Sequence, residues 1–214
     1  MNVFRALSWG YNRPFTDSSE PAGCVLWFHV KPTSALHVMA ELMFSALTEE
    51  ALAGEIHKLD RSLQFAPPVQ YTVATPALFF KKPTHYPGFM GEYIAEELAR
   101  YGVSCIPADD DEVNGFARIH ARLRPSPAGP WLTVSNACDH LIKSMGSALS
   151  HETNPDELAL PLPAVTALRF GVMSRPSPTL EVQQVAAPPF GTPAYFMKRE
   201  RDAASGQRMF GQAK

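Results

Sequence analysis

The sequence predicts an α/β domain built on a mixed central β-sheet, an antiparallel meander followed by parallel β-α-β units, with helices on its faces. Three observations lead there. Residues 1–44 hold three apolar runs joined by short, turn-rich connections, and sequential strands with short links pair antiparallel. From residue 48 onward, stripes of helical period alternate with short apolar runs, the pattern of parallel strands joined by crossover helices. The chain has 214 residues, 45% of them hydrophobic, enough for one sizeable core.

Val3 to Trp9 reads as a strand ending in a Gly-Tyr-Asn-Arg-Pro turn, Cys24 to Val30 as a second, and Leu36 to Phe44 as a third after the Lys31-Pro32-Thr33-Ser34 turn. Thr48 can cap a helix whose first turn carries Glu49 and Glu50, with Leu52, Ile56, Leu59 and Leu63 as its stripe. Pro67-Pro68 stops it. Val69 to Ala74 is nearly all apolar and fits a buried central strand. Gly88 to Tyr101 reads as a helix closed by Gly102, and Val103 to Pro107 as a fifth strand. A helix over Asp111 to Leu123 aligns Val113, Phe116, Ile119 and Leu123. Trp131 to Ser135 is a short sixth strand, followed by helices over Ala137 to Leu149 and Ala164 to Ser174. Residues 1–174 are expected to form the domain. Residues 175–214, interrupted by Pro176, Pro178, Pro188, Pro189 and Pro193, are expected to be a Pro-rich, partly disordered tail.

Composition narrows the function classes. Net charge is −2 and the pI about 6.4, less basic than a dedicated nucleic-acid-binding domain, although a local basic groove can still carry phosphate contacts. Cys24, Cys105 and Cys138 are odd in number, widely spaced and without a CxxC. That argues for reduced thiols in a cytoplasmic setting and against a zinc or disulfide framework. No apolar run reaches the ~20 residues of a membrane span, no secretory signal is evident, and no membrane partner is expected. No HExxH occurs, and His29, His37 and His57 read as surface residues of strands and helices. No GxxxxGK[ST] occurs, so ATP hydrolysis by that route is not expected.

Three segments carry a family resemblance: Arg5-Ala6-Leu7-Ser8-Trp9-Gly10-Tyr11, Tyr71-Thr72-Val73-Ala74-Thr75-Pro76, and Leu162-Pro163-Ala164-Val165-Thr166-Ala167-Leu168-Arg169-Phe170. Each resembles a stretch of the nuclease domain of a phage terminase large subunit. Weaker matches follow in the family order: Glu92 to Leu98 with Tyr101-Gly102-Val103, Val113 to Arg124, Trp131 to Val134 with Cys138 and Leu141-Ile142, and the acidic Asn-Pro loop Glu152 to Glu157. The resemblance spans residues 3–174 and implies an RNase H-like fold, a two-metal endonuclease using Mg²⁺ or Mn²⁺, and a part in viral DNA packaging in the host cytoplasm. A catalytic Asp would stand where Ser8, Thr75 and Thr166 stand here, and Leu162-Pro163 replaces a further Asp-His pair.

The substitutions change the chemistry the resemblance implies. Two metal ions about 4 Å apart need anionic oxygens, and Ser or Thr hydroxyls are neutral and weaker ligands. The expected outcome is a pseudo-nuclease with no catalytic acid and no cofactor, holding a surface for double-stranded DNA or for the portal or small terminase subunit. Removing converging carboxylates also relieves repulsion in a metal-free core. An active endonuclease with displaced acids is the alternative, with Asp17 and Asp109 as weak metal-ligand candidates and Glu41, Asp110 and Asp111 as other acids near strand ends. A scaffold that never meets DNA is a third. Candidate DNA contacts are Arg13, Lys81, Lys82, Arg118, Arg122 and Arg124. Asp109-Asp110-Asp111-Glu112 reads more simply as a solvated loop and helix start, and Phe79-Phe80 as packing beneath a loop. Cys138 has no organised base and is not read as a nucleophile.

Overall fold

The computed structural model describes residues 2–10, 23–45, 47–64, 68–80, 93–126, 129–151 and 162–176, all within a compact unit spanning Met1–Pro178. The expected tail beyond Pro176 lies outside the described residues. Three long strands form the meander: β1 (Asn2–Trp9), β2 (Gly23–Val30) and β3 (Leu36–Phe44). β1 and β2 pair from Asn2↔Val30 to Trp9↔Gly23, and β2 and β3 from Gly23↔Phe44 to Val30↔Leu36, with a register shift at Trp27/Phe28. The turn between β2 and β3 closes when Ser34 N–H donates to the Lys31 carbonyl at 2.9 Å, with Ser34 at φ 66°.

Helix α1 (Glu49–Ser62) starts where Thr48 Oγ1 accepts from Ala51 N–H, as its sequence predicts. The chain returns as β4 (Thr72–Ala74), parallel to β1 with Arg5↔Thr72 and Leu7↔Ala74. This strand is shorter than the predicted 69–74. Gln70 and Tyr71 still bond the β1 backbone, through Gln70 N–H to the Val3 carbonyl and Arg5 N–H to the Tyr71 carbonyl, but outside the regular ladder. A 3₁₀ turn (Pro76–Phe79) leads away from β4. Helix α2 (Ile94–Arg100) ends at Gly102, φ 84°, and His57 of α1 donates from Nε2 to the Tyr101 carbonyl at 2.7 Å. Val103 N–H closes this helix end on the Leu98 carbonyl, so β5 begins at Cys105 (Cys105–Pro107) and not at Val103. Residues 88–92 of the predicted helix lie outside the described residues.

Helix α3 (Glu112–Leu123) is capped by the Asp111 carboxylate, which accepts from Asn114 N–H at 2.9 Å. Strand β6 (Leu132–Val134), helix α4 (Asp139–His151) and helix α5 (Pro163–Met173) follow. The sheet order is β5-β4-β1-β2-β3-β6, with β4, β5 and β6 parallel to their neighbours and the meander antiparallel. This is the mixed, RNase H-like sheet that the sequence predicts.

Alternation along the strands divides the interior into two cores. Phe4 and Ala6 join Leu26, Phe28, Leu168 and Phe170 under α5. Val3 and Leu7 join Val25, Trp27, Leu52, Ile56 and Leu98 under α1 and α2. Helix α5 lies so close to β2 that a Cβ on Gly171 would fall 2.3 Å from Phe28 Cζ. Only glycine permits that approach. On the other face Arg5, 6% exposed, is the one charge in β1. Its Nη1 meets Asp60 Oδ2 of α1 at 2.9 Å and its Nε donates to Thr72 Oγ1 at 3.0 Å. Trp27 Nε1 donates to the other Asp60 oxygen at 2.7 Å. One carboxylate thereby ties α1 to both β1 and β2.

Replacing Asp60 with Asn leaves the Arg5 cation buried without a charged partner. Because Asp60 keeps some solvent access, we expect a loss of about 2 kcal/mol, below the cost for a fully buried pair. Urea unfolding followed by circular dichroism measures it, and an unchanged midpoint would remove this pair from the account of the fold.

Candidate functional site

The carboxyl ends of β1 and β4 lie side by side, because the two strands are parallel and Leu7 stands opposite Ala74. Ser8 is next to last in β1, is 6% exposed and pairs with Cys24 of β2. By strand alternation it shares the α5 side with Phe4 and Ala6. Thr75 is the first residue beyond β4. Its N–H donates to the Leu7 carbonyl at 3.0 Å, and its Oγ1 accepts from Trp9 N–H at 2.9 Å. The hydroxyl thus continues the ladder at a point where β4 itself has ended.

Thr166 lies in the first turn of α5, which opens at Pro163 after Leu162, and its N–H donates to the Leu162 carbonyl. At the far end of α5 Ser174 Oγ and the Tyr71 hydroxyl are 3.3 Å apart, and the Tyr71 carbonyl bonds Arg5 N–H. Eight residues of helix rise about 12 Å, which separates Thr166 from that anchor. Register and hydrogen bonding thus bring two of the three segments picked out in the sequence, those of Ser8 and Thr75, together at one end of the sheet.

Ser8 and Thr75 offer only neutral hydroxyls at this end. Among the described residues there is no group of three His, Cys, Asp or Glu side chains able to hold a metal ion. Beside Ser8, the Cys24 thiol is pushed well above its ordinary pKa, first by burial and then by Glu41 and Cys138. Protonated thiols and neutral hydroxyls do not fit a pair of Mg²⁺ or Mn²⁺ ions, which require hard anionic oxygens.

The remaining acids have other partners. Glu41, with a side chain 7% exposed, accepts from His140 N–H at 2.8 Å and Leu141 N–H at 2.9 Å, and lies 3.1 Å from His140 Nδ1. A carboxylate from β3 thus caps α4 across 99 residues of sequence, and the helix dipole reinforces it. Local spacing could not reveal this cap. Asp109 is exposed and accepts from Asp111 N–H, Asp110 pairs with Arg169 of α5, and Asp111 caps α3. Asp17 lies outside the described residues.

The basic candidates do not converge among the described residues. Arg122 is 1% exposed and donates to the carbonyls of Ser34 at 3.3 Å and Pro176 at 2.6 Å. Burial, then Arg118, lowers its pKa to about 10, so it stays cationic at neutral pH, but inside the protein. Its place in the sequence list of DNA contacts followed from charge alone; on α3 it faces inward. Arg118 is half-buried and donates to the Arg175 carbonyl, while Arg124 is exposed. Arg13, Lys81 and Lys82 lie outside the described residues. Phe79 packs against the α1–α2 core, and Phe80 is 69% exposed. Arg175, assigned by sequence to the tail, stacks over Phe4 and Tyr71 at 4.9 and 5.3 Å.

With this geometry in hand, one solved structure decides the fold. The nuclease domain of the P22 large terminase superposes with a TM-score of 0.50 at 15% sequence identity, over 81% of each chain. This chain has the fold of a phage large terminase nuclease domain. The large terminase nuclease domain of bacteriophage SPP1, solved with bound Mn, gives a TM-score of 0.42 at 10% identity over 68% of each chain. No protein-family model matches the chain, and neither does any curated protein. Among the described residues, no helix is long and apolar enough to cross a membrane. At this level of identity the likeness is one of fold alone.

Thr75→Val removes the acceptor for Trp9 N–H while keeping side-chain volume. We expect a loss of about 1–2 kcal/mol, measured as a lowered urea midpoint with unchanged circular dichroism. The thiols give a pH dependence of known sign. Burial, the largest cause for each, raises Cys24 well above 9 and Cys105 and Cys138 to about 11. The unfolded chain therefore ionises first, and the thiol contribution to stability is complete below pH 9 and lost between about pH 9 and 11. Unfolding midpoints across that range should fall less steeply in a Cys24→Ala, Cys138→Ala double variant than in the parent.

Proposed function

We propose that this protein is a terminase-type pseudo-nuclease of phage DNA packaging, with metal-dependent cleavage lost and a surface kept for duplex DNA or for the portal or small terminase subunit. The observation that carries this reading is the Thr75 hydroxyl. At the strand end where the family resemblance implies a metal-binding Asp, it bonds the Trp9 backbone. Ser8 and Thr166 add no charge, and the acids that remain among the described residues near this end hold helices or loops together. Such a domain keeps the shape of the nuclease while its strand ends are closed by neutral hydrogen bonds.

Incubation with supercoiled plasmid and millimolar Mn²⁺ or Mg²⁺ tests the loss of cleavage. We expect no nicking, together with a DNA mobility shift at low salt that weakens steeply as salt rises. Nicking abolished by Asp17→Asn or Asp109→Asn would establish the displaced-acid endonuclease instead. Absence of both a DNA shift and binding to portal or small subunit would remove the packaging role. The triple variant Ser8→Asp, Thr75→Asp, Thr166→Asp probes the same three positions. Without metal it should unfold at lower urea than the parent, because like carboxylates repel and lose hydration. Added Mn²⁺ should recover part of that loss by binding the folded state.

A further inference from the structure

A different pair of side chains stands side by side on the sheet. His29 of β2 and His37 of β3 are direct cross-strand partners, which places their Cβ atoms about 5 Å apart on one face. His37 is also in register with Thr133 of β6. Three side chains therefore form a row across β2, β3 and β6, and all three are half-buried and reachable from solvent. The row lies on the Trp27 side of the sheet by alternation. His29 pairs with Val3 of β1, whereas Ser8 stands five residues further along that strand, about 17 Å away.

The hydrogen bonds fix how one ring is presented. His37 Nδ1 lies 2.8 Å from Thr133 Oγ1, and that hydroxyl lies 3.5 Å from the Leu36 carbonyl. A hydroxyl has one proton. Directed to the carbonyl, it leaves Oγ1 to accept from Nδ1–H. His37 Nε2 then carries its lone pair, with the ring held by Thr133. A metal-binding histidine is commonly held in this way through its other nitrogen.

We propose that His29 and His37 form a two-imidazole chelate for a divalent transition ion of the Cu²⁺, Ni²⁺ or Zn²⁺ class, oriented by Thr133 and completed by water. The site holds β2 to β3 at the end of the sheet away from Ser8. Imidazole favours these ions over Mg²⁺ and Mn²⁺, which separates the site chemically from the carboxylate centre of a nuclease. Burial is first in importance for both rings; with the neighbouring His37 next at His29 and Lys31 next at His37, it keeps both imidazoles more readily neutral than an ordinary histidine. That is the form that binds metal, although the Lys31 charge itself opposes a bound cation.

The test uses the full chain titrated with CuCl₂, NiCl₂ and ZnCl₂, read by calorimetry, with MgCl₂ as control. We expect one equivalent to bind at neutral pH and to be released as pH falls below about 6. His29→Ala and His37→Ala should each weaken binding by more than about 10-fold, and Thr133→Val by about 10-fold. Substoichiometric Cu²⁺ added to the unaltered protein should selectively broaden two of the seven histidine ring resonances in NMR, a readout independent of any variant's folding. Broadening of other histidines with those two spared, or no saturable binding up to millimolar ion, would overturn the proposal.

Discussion

Everything in this fold depends on burying β1 on both faces at once. The strand sits between antiparallel β2 and parallel β4, and its alternate residues feed two separate cores. A strand in that position cannot be covered from one side. Helix α5 must close one face and α1 with α2 the other, so elements far apart in sequence are fixed by one short segment. Gly171 lets α5 approach Phe28, and Arg5 is tolerated because Asp60 and Thr72 meet its guanidinium. Burial of a charge without such partners would cost several kcal/mol.

The same arrangement sets what lies at one end of the sheet, because parallel β1 and β4 end together. In this chain Thr75 uses its hydroxyl to extend the β1–β4 hydrogen bonding, and Ser8 is buried beside a protonated Cys24 thiol. Neutral, hydrogen-bonded groups are the ones that a buried strand end accommodates at least cost.

Charge elsewhere follows the same logic of long-range support. Glu41 reaches from β3 to cap α4, Asp110 pairs with Arg169 of α5, and Arg122 gathers carbonyls from Ser34 and Pro176. Each joins segments separated by more than 50 residues. A charge engaged in this way is unavailable to phosphate. That is why a count of lysines and arginines overstates what the described surface offers to DNA; Arg122 turns inward from α3 while Arg124, just beyond the helix, is exposed.

The sequence by itself determined the element order, the strand-helix alternation, the caps at Thr48 and Asp111, and the turn at Gly102. Those features depend on neighbours within a few residues, where side-chain period and backbone conformation act directly. It also marked Ser8, Thr75 and Thr166 through their collinear context. Only the tertiary structure decided which polar residues were free. The inward turn of Arg122, the capping role of Glu41, the bond from Trp9 to Thr75 and the facing of His29 with His37 all arise from pairing across the sheet. Register and helix packing are long-range properties, and no local periodicity specifies which distant backbone group a side chain will meet.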